Sequence, residues 1–426
     1  MDGKYNDEKW ARLYSHVAGR VGKTVAVELT DALKGMYSVF DREIVDWIAG
    51  LYEPKIGGYY YSNSGRDNET IEVDGVLCHP LPDIESTFQA INMWMGMGLH
   101  GEITAWGKWM PEWMQRDIGD FIYNLQDEDG FFYHPQWGKN IPLSRRARDF
   151  TWATHTVEHL KGNLKYKTYL DIPKAEKEET AKVLIPEHMK SSEAFASYLD
   201  SLNINERSYH SGNELTSQKD QMRVFGRLEE CYDYLISRLN ENGHWHYENN
   251  YYAINGLFKT SFIFDSTGRP HPRPLEAARA TIAAITSDEP MTAITDLYNT
   301  WYTIRVIVQN QKRFAGDRAD EVVNTIQREV WRIAPAAVRK STEKLRTFKR
   351  SDLAFSYGPK HSSPTSQGVP VAKPGSDEGD VNATNIALGV VGNLFTSLGL
   401  DEYILPIIDP AERERYIAIL EKKRNN

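Results

Sequence analysis

Asp129-Gly130-Phe131-Phe132-Tyr133-His134 and Asn242-Gly243-His244-Trp245-His246-Tyr247 share one pattern, in which a polar residue and a glycine turn the chain and a short aromatic run follows. Gly57-Gly58-Tyr59-Tyr60-Tyr61 is a third instance. Glycine is the residue that tolerates the positive φ of a tight turn. Beyond each turn, after a loop of variable length, residues recur at helical spacing: Pro82 to Leu99, Arg148 to Leu160 and Tyr251 to Phe264. The unequal intervals between the glycines mark a degenerate repeat with insertions rather than a fixed-period array.

Outward from these units the helical period continues. It runs through the first 50 residues (Val27, Leu29, Leu33, Met36, then Phe40, Ile44, Trp47, Ile48), and through Leu275 to Ile285, Thr292 to Gln309, Ala319 to Ile333 and Ala383 to Leu398. A last helix is expected from Pro410, with Asp409 as its cap. Sustained period-two alternation is absent, which argues against a sheet-based core. The stretch Ser356 to Asp380 carries Gly, Pro, Ser, Thr and Lys without a helical pattern; a loop of that length is functional or disordered. With no break in composition, the expectation is an all-α chain: one domain over residues 1–426, an (α/α)n toroid of helical hairpins joined by short glycine-aromatic turns.

The 426 residues are 41% hydrophobic and 26% charged, a globular composition that excludes collagenous and disordered classes. A net charge of -9 argues against a general nucleic-acid binder. Cys78 and Cys231 form neither a disulfide framework nor a metal-ligand spacing. Met1-Asp2-Gly3-Lys4 opens without the apolar stretch of a signal peptide, so a cytoplasmic location is expected, or a periplasmic or secreted one if a leader has been removed. The longest apolar stretch, Ile386 to Leu400, is interrupted by polar residues and too short to span a bilayer. No phosphate loop, dinucleotide fingerprint or nucleophile elbow occurs, and Asp127-Glu128-Asp129 reads as a turn before Gly130; no metal or cofactor is expected.

In a toroid, the inner helices line a central funnel, and polar side chains on them are candidates for chemistry. Arg148, Trp152, His155 and His159 share one helical face; Tyr252, Asn255 and Lys259 form a second stripe and Tyr298, Tyr302 and Arg305 a third. Asp83 and Glu85 open one helix; Asp380, Asn382 and Asn385 open another. His134, His244 and His246 sit in the turns. Each has a structural role as its alternative: a carboxylate at a helix start is a cap, and a tyrosine at helical spacing is core. The aromatic fraction of 12% suits stacking on sugar rings, with Trp137, Trp152 and Trp245 near the expected mouth. The basic run Arg328 to Arg350 is a solvated face or a source of positive field for a polyanion.

The turns Asp129 to His134 and Asn242 to His246, followed by Tyr251, Tyr252 and Asn255-Gly256, resemble those of polysaccharide lyases built on incomplete α/α toroids, the class of alginate, glucuronan and glycosaminoglycan lyases. That resemblance implies Tyr as base and acid, with Asn, His or Arg on the uronate carboxylate. Elimination requires those parts, because removing the proton alpha to a carboxylate builds charge on an anion that must first be neutralised. The implied catalytic residues are Tyr252 with Asn255 and His246, and Tyr298 with Arg305, joined by His155. Substrate binding falls to Trp137, Trp152, His134, His244, Arg148, Lys259, Asp83 and Glu85, and the expected partner is an anionic polysaccharide or oligosaccharide. Phe121 to Phe132, with Gln126 and Gly130, is also similar to the repeat of terpene cyclases and prenyltransferases, yet the chain lacks an Asp-x-Asp-Asp acid and an Asp-rich diphosphate site. Two alternatives stand: a glycoside hydrolase using a pair from Asp83, Glu85, Asp149, Glu378 and Asp380, and a non-catalytic glycan-binding protein.

Overall fold

A computed structural model describes residues 3–173 and 182–425 of the chain. Among them are seventeen α-helices, while strands are confined to three two-stranded antiparallel hairpins. The chain is mostly helical, as the periodicity predicts. Helices stand at Ile84–Met97, Leu143–Leu160, Tyr251–Thr267, Pro274–Thr286, Thr295–Phe314 and Val381–Ser397. Ala319–Arg346 runs well past its predicted end at Ile333, straight through Pro335. Proline normally breaks a helix. Here Val330, Trp331, Ala334, Ala337, Val338 and Leu345 keep one face buried on both sides of it. No described helix is long and apolar enough to cross a membrane.

Six helices fall outside the stretches read as helical from the sequence: Asn63–Asp67, Glu112–Asn124, Ser192–Ser201, Ser208–Ser217, Lys219–Val224 and Leu228–Ser237. Ser208–Ser217 shows why. It packs on Tyr251–Thr267 through small residues rather than an apolar stripe, and its buried positions are Ser208, Ser211, Gly212 and Leu215. A Cβ on Gly256 would lie 2.7 Å from the Cβ of Ser208, and one on Gly212 would lie 3.1 Å from the carbonyl oxygen of Gly256. The two backbones therefore meet with no side chain between them.

Six helices pack in a closed succession: Ile84–Met97 on Leu143–Leu160, then Ser208–Ser217, Tyr251–Thr267, Thr295–Phe314 and Val381–Ser397, which returns to Ile84–Met97. At the seam Gln89 Nε2 donates to Asn382 Oδ1 at 3.2 Å, and Asn385 Nδ2 donates to Gln89 Oε1 at 2.5 Å. Further helices, Glu112–Asn124, Leu228–Ser237, Pro274–Thr286 and Ala319–Arg346 among them, pack onto members of this cycle. Buried apolar side chains from Trp10 to Leu420 form one continuous cluster around it.

The glycine turns brace the cycle. Gly130 and Gly243 have φ of 87° and 82°, and a Cβ on either would lie within 2.7 Å of backbone: the Lys167 oxygen for the first, the Ala277 nitrogen at 2.5 Å for the second. Their aromatics are wedges. Phe131, Phe132 and Trp245 are fully buried, and Trp245 Nε1 donates to the Leu235 carbonyl at 2.8 Å. The loop Ser356 to Asp380 is tied down: Glu378 accepts from Ser62 Oγ at 2.9 Å and Ser64 N at 2.7 Å, and Asp380 accepts from Tyr357 N at 3.0 Å and caps Ala383 N at 2.7 Å.

Candidate functional site

The cycle of six helices encloses a cavity of about 570 Å³, lined from every one of its members. Leu143–Leu160 contributes Arg148 and Trp152, Ser208–Ser217 contributes Tyr209, Asn213 and Thr216, and Tyr251–Thr267 contributes Phe258, Lys259 and Phe262. Tyr298, Asn299 and Tyr302 face it from Thr295–Phe314, Asn382 and Asn385 from Val381–Ser397, and Phe88, Gln89 and Asn92 from Ile84–Met97. Tyr61 and the loop segment carrying Tyr357 and Gln367 complete the wall. The polar lining is phenols, amides, Ser and Thr hydroxyls and cations, interleaved with Phe88, Trp152, Phe258, Phe262 and Ile386; none of the described lining residues is a carboxylate or a histidine.

Charge enters the site from below. Arg145 is wholly buried and donates from Nη2 to Asp83 at 2.9 Å, from Nη1 to Glu85 at 3.0 Å and from Nε to Asp149 at 2.9 Å. Its guanidinium also lies over the Trp137 ring, 4.6 Å from the centroid. Buried charges persist where they are paired in this way. Burial is nevertheless the dominant influence on Asp149 and raises its carboxyl to about 7 against the opposing pull of Arg145. Glu85 uses its second oxygen to accept from Arg148 Nη1 at 3.2 Å, which holds that guanidinium at the cavity wall. Arg148 further donates to Asn213 Oδ1 at 3.1 Å and lies 5.2 Å over Trp152, which stacks on Phe88 at 5.1 Å and an interplanar angle of 9°.

The hairpin Thr365–Ser366 and Val369–Pro370 turns through Gln367 and Gly368, both at positive φ (51° and 82°), as a two-residue turn of this kind requires. That turn sets Gln367 over the wall, its side-chain amide 2.9 Å from Asn213 Nδ2 and, with its oxygen turned to the guanidinium, accepting from Arg148 Nη1 and Nη2 at 3.2 Å. On the opposite side Tyr298 and Tyr302 meet edge to face at 5.4 Å, and Tyr302 lies 4.8 Å from Phe258. Burial raises the phenols of Tyr61, Tyr209 and Tyr298 above the ordinary tyrosine value; Asp380 adds to the effect at Tyr61, Tyr357 at Tyr209 and Tyr302 at Tyr298. Lys259 moves the other way. Burial, then repulsion from Arg148, brings its amine down to about 7, with Glu85 opposing.

Of the residues singled out in the sequence, Arg148, Trp152, Lys259, Tyr298, Tyr302, Asn382 and Asn385 line this cavity. Asp83 and Glu85 lie beneath it as partners of Arg145, and Asp83 also accepts from Ser86 N at 3.0 Å as the helix cap. Asn255 is buried behind the wall, donating to Asp296 at 2.8 Å and accepting from Asn299 at 2.9 Å. Arg305 stands outside the lining, donating to Asn393 at 3.0 Å with its guanidinium 5.2 Å from the Tyr302 ring. His155 stacks on His159 at 4.1 Å against the edge of Trp106. Tyr252 and His246 do meet, at 5.4 Å, but away from the cavity, where Tyr252 shares a hydrogen bond of 3.1 Å with His210 Nδ1. His134 and His244 are buried in their turns, and burial lowers each to about 4. Trp137 is held under Arg145 and donates to the Pro370 carbonyl at 3.1 Å.

Spacing overlooks Tyr61, Tyr209, Asn213, Tyr357 and Gln367. Tyr61 belongs to the first glycine turn, and Tyr209 and Asn213 stand four apart, the interval that shares a helical face. The basic run Arg328 to Arg350 supplies nothing to the cavity. Its members pair outside it, Arg339 with Glu28 at 3.7 Å and Arg350 with Asp377 at 3.3 Å. No family model matches the chain, and a comparison with curated proteins finds no match.

Proposed function

We propose that the chain is a polysaccharide lyase that cleaves a uronic-acid-containing glycan by β-elimination inside an α/α toroid. The closed succession of six helices around one cavity supports the toroid, with those helices as its inner wall. The observation that carries the chemistry is the lining itself: fixed positive charge, phenols and amides, and no carboxylate among the described residues.

A uronate carboxylate placed against Arg148 and Asn213 would take the donors that Gln367 and the neighbouring amides now satisfy, and its charge would be neutralised where it grows during C5 deprotonation. The flat Trp152–Phe88 stack offers a platform for a pyranose ring beside that point. Tyr298, whose phenol is held above the ordinary tyrosine value by burial, or Tyr302 packed against it would protonate the departing glycosidic oxygen. Of the two tyrosines that the resemblance singles out, Tyr298 fits this role and Tyr252, bonded to His210 outside the cavity, does not.

The hydrolase alternative needs two carboxyl groups across the scissile bond. Asp83, Glu85 and Asp149 are all committed to Arg145, Glu378 to Ser62 and Ser64, and Asp380 to two backbone amides. None of them lines the cavity.

The test is incubation with alginate, glucuronan and glycosaminoglycans, following new reducing ends together with the ultraviolet absorbance of an unsaturated uronide. Elimination yields both signals in step, and reducing the substrate carboxyl groups to alcohols abolishes both. Reducing ends without absorbance would overturn the proposal in favour of hydrolysis, and no cleavage of any uronate glycan would leave only binding.

A further inference from the structure

We propose that the base of this reaction is Nζ of Lys259, and that a phenol on Thr295–Phe314, Tyr298 or Tyr302, is the acid. The assignment rests on the lyase reading of the cavity and deepens it by dividing the two proton transfers between different kinds of side chain.

A base needs an available lone pair, and the lining offers few. Arg148 is permanently charged and already engaged by Glu85 and Asn213. Lys219 is paired with Asp220 at 2.8 Å. Asn and Gln side chains are not basic, and none of the described lining residues is His, Asp or Glu. Tyr61, Tyr209 and Tyr298 are driven by burial to keep their protons, which makes them donors and poor acceptors. Lys259 differs from all of these. Its Nζ forms no hydrogen bond or salt bridge among the described residues, Glu85 acts on it only through its charge, and the amine lies 5.3 Å from the ring of Phe258.

The position is built from the helix contact beneath it. Gly212 has no side chain, and a Cβ there would lie 2.9 Å from the Cβ of Lys259. The lysine stem therefore starts where two backbones pack closely and leads from there to the cavity. The ionisable groups that share the cavity with it are Arg148, with Glu85 behind it, Lys219, and the phenols Tyr61, Tyr209, Tyr298, Tyr302 and Tyr357. Desolvation beside a fixed cation is the environment in which a lysine becomes a usable base near neutrality, and burial with Arg148 brings Lys259 to about 7. Phe258, next to it in the chain, is 4.8 Å from Tyr302 and 6.3 Å from Tyr298, so amine and phenols border one space.

The step balances within these groups. The Lys259 lone pair forms a bond to the C5 proton, the C5–H electrons become the C4=C5 bond, and the C4–O bond breaks. The phenol gives its proton to the departing oxygen. The ammonium and phenolate left behind return to their starting forms by net proton transfer from one to the other through solvent after product leaves.

Three measurements test the assignment. In the wild-type protein, kcat/KM on a polyuronate should fall on the acid side with an apparent pKa near 7; a flat profile from pH 6 to 8 overturns it. Lys259→Met should lower kcat by about 10²- to 10⁴-fold with KM little changed. In Lys259→Ala, added methylamine should restore turnover in proportion to its free-base concentration, a rescue that a packing role cannot give. Wild-type turnover with undiminished kcat in the two variants removes Lys259 as the base and leaves the lyase reading standing. Absence of elimination in the wild-type protein removes both. Competitive acetylation read residue by residue is independent of turnover: Lys259 should label with a midpoint near pH 7, and a midpoint near that of exposed lysines, about 10.4, overturns the assignment.

Discussion

Replacing Arg145 by Met keeps the length and much of the volume of the side chain while removing its charge. Asp83, Glu85 and Asp149 would then stand in a dry pocket without the guanidinium that bonds all three at 2.9 to 3.0 Å. Taking one partner from a buried ion pair costs roughly 3–5 kcal/mol, because the remaining charge is left uncompensated. With three carboxylates sharing one guanidinium, the upper part of that range is expected at pH 7. The loss should shrink in acid. In the variant, carboxyl groups whose folded pKa values rise above their unfolded values bind protons that the unfolded chain releases, so folding gains stability as pH falls. Asp149 is already raised in the wild-type protein, so the difference between the two proteins reports chiefly Asp83 and Glu85. Urea unfolding followed by near-ultraviolet circular dichroism at pH 7 and pH 5 measures both effects. A deficit below about 1 kcal/mol that is the same at both pH values would refute the claim that this cluster is a buried, mutually dependent set. Arg145→Lys should fall between the two, since one ammonium cannot reproduce a planar fork that spans three acceptors.

Lys259→Met should change the pH dependence of stability. A lysine at about 7 when folded and at its ordinary value when unfolded makes the wild-type protein gain stability as pH rises between those values, by up to roughly 1.4 kcal/mol per pH unit, with no further change from this group below about 7, where both states are protonated. The variant should lack that slope, and equal slopes in thermal unfolding at pH 7 to 10 would show the amine to be solvated. Gly256→Ala would press a methyl group against Ser208, whose carbonyl carbon would lie 2.8 Å away, so a loss of about 1–3 kcal/mol in urea unfolding is expected; an unchanged midpoint would show that the two helices separate at little cost. Tyr298→Phe and Tyr302→Phe keep their rings, so stability and binding should survive while one of them lowers kcat by about 10²-fold or more; full activity in both excludes the phenols. Raising salt should weaken capture of a polyuronate more than of a neutral glycan, and equal responses would remove Arg148 as the anion contact.

The helical class is legible in the sequence because most helices bury a regular apolar stripe, and the turns are legible because Gly130 and Gly243 must be glycine where a Cβ would strike backbone. The Ser208–Ser217 helix is not legible for the opposite reason: contact through Ser208, Ser211 and Gly212 leaves no hydrophobic period to detect. With that helix unseen, Tyr209 and Asn213 are unseen too. Spacing also identifies residues on one helical face without saying what the face meets. Tyr252, Asn255 and Lys259 form a single stripe, yet they reach, in order, His210 on the outside, Asp296 in the interior and the cavity, because the helix runs between Ser208–Ser217 and Thr295–Phe314 with the cavity open along part of its face. Gln367 is set by a hairpin turn far along the chain, and only tertiary structure brings it to Asn213.

The seam where Val381–Ser397 meets Ile84–Met97 has a consequence for synthesis on the ribosome. Chains emerge from the N-terminal end and their units fold as they appear. The first helix of the cycle is made early, but the amides that join Gln89 to Asn382 and Asn385 cannot form until the last one has left the exit tunnel. Until then the polar wall faces open water, and the apolar flank meant for Val390, Val391 and Leu394 has no cover. The ring of a nascent chain of this protein thus closes only in one late event. Slowing elongation through the final ring helix should lengthen dependence on holding chaperones without altering the finished product.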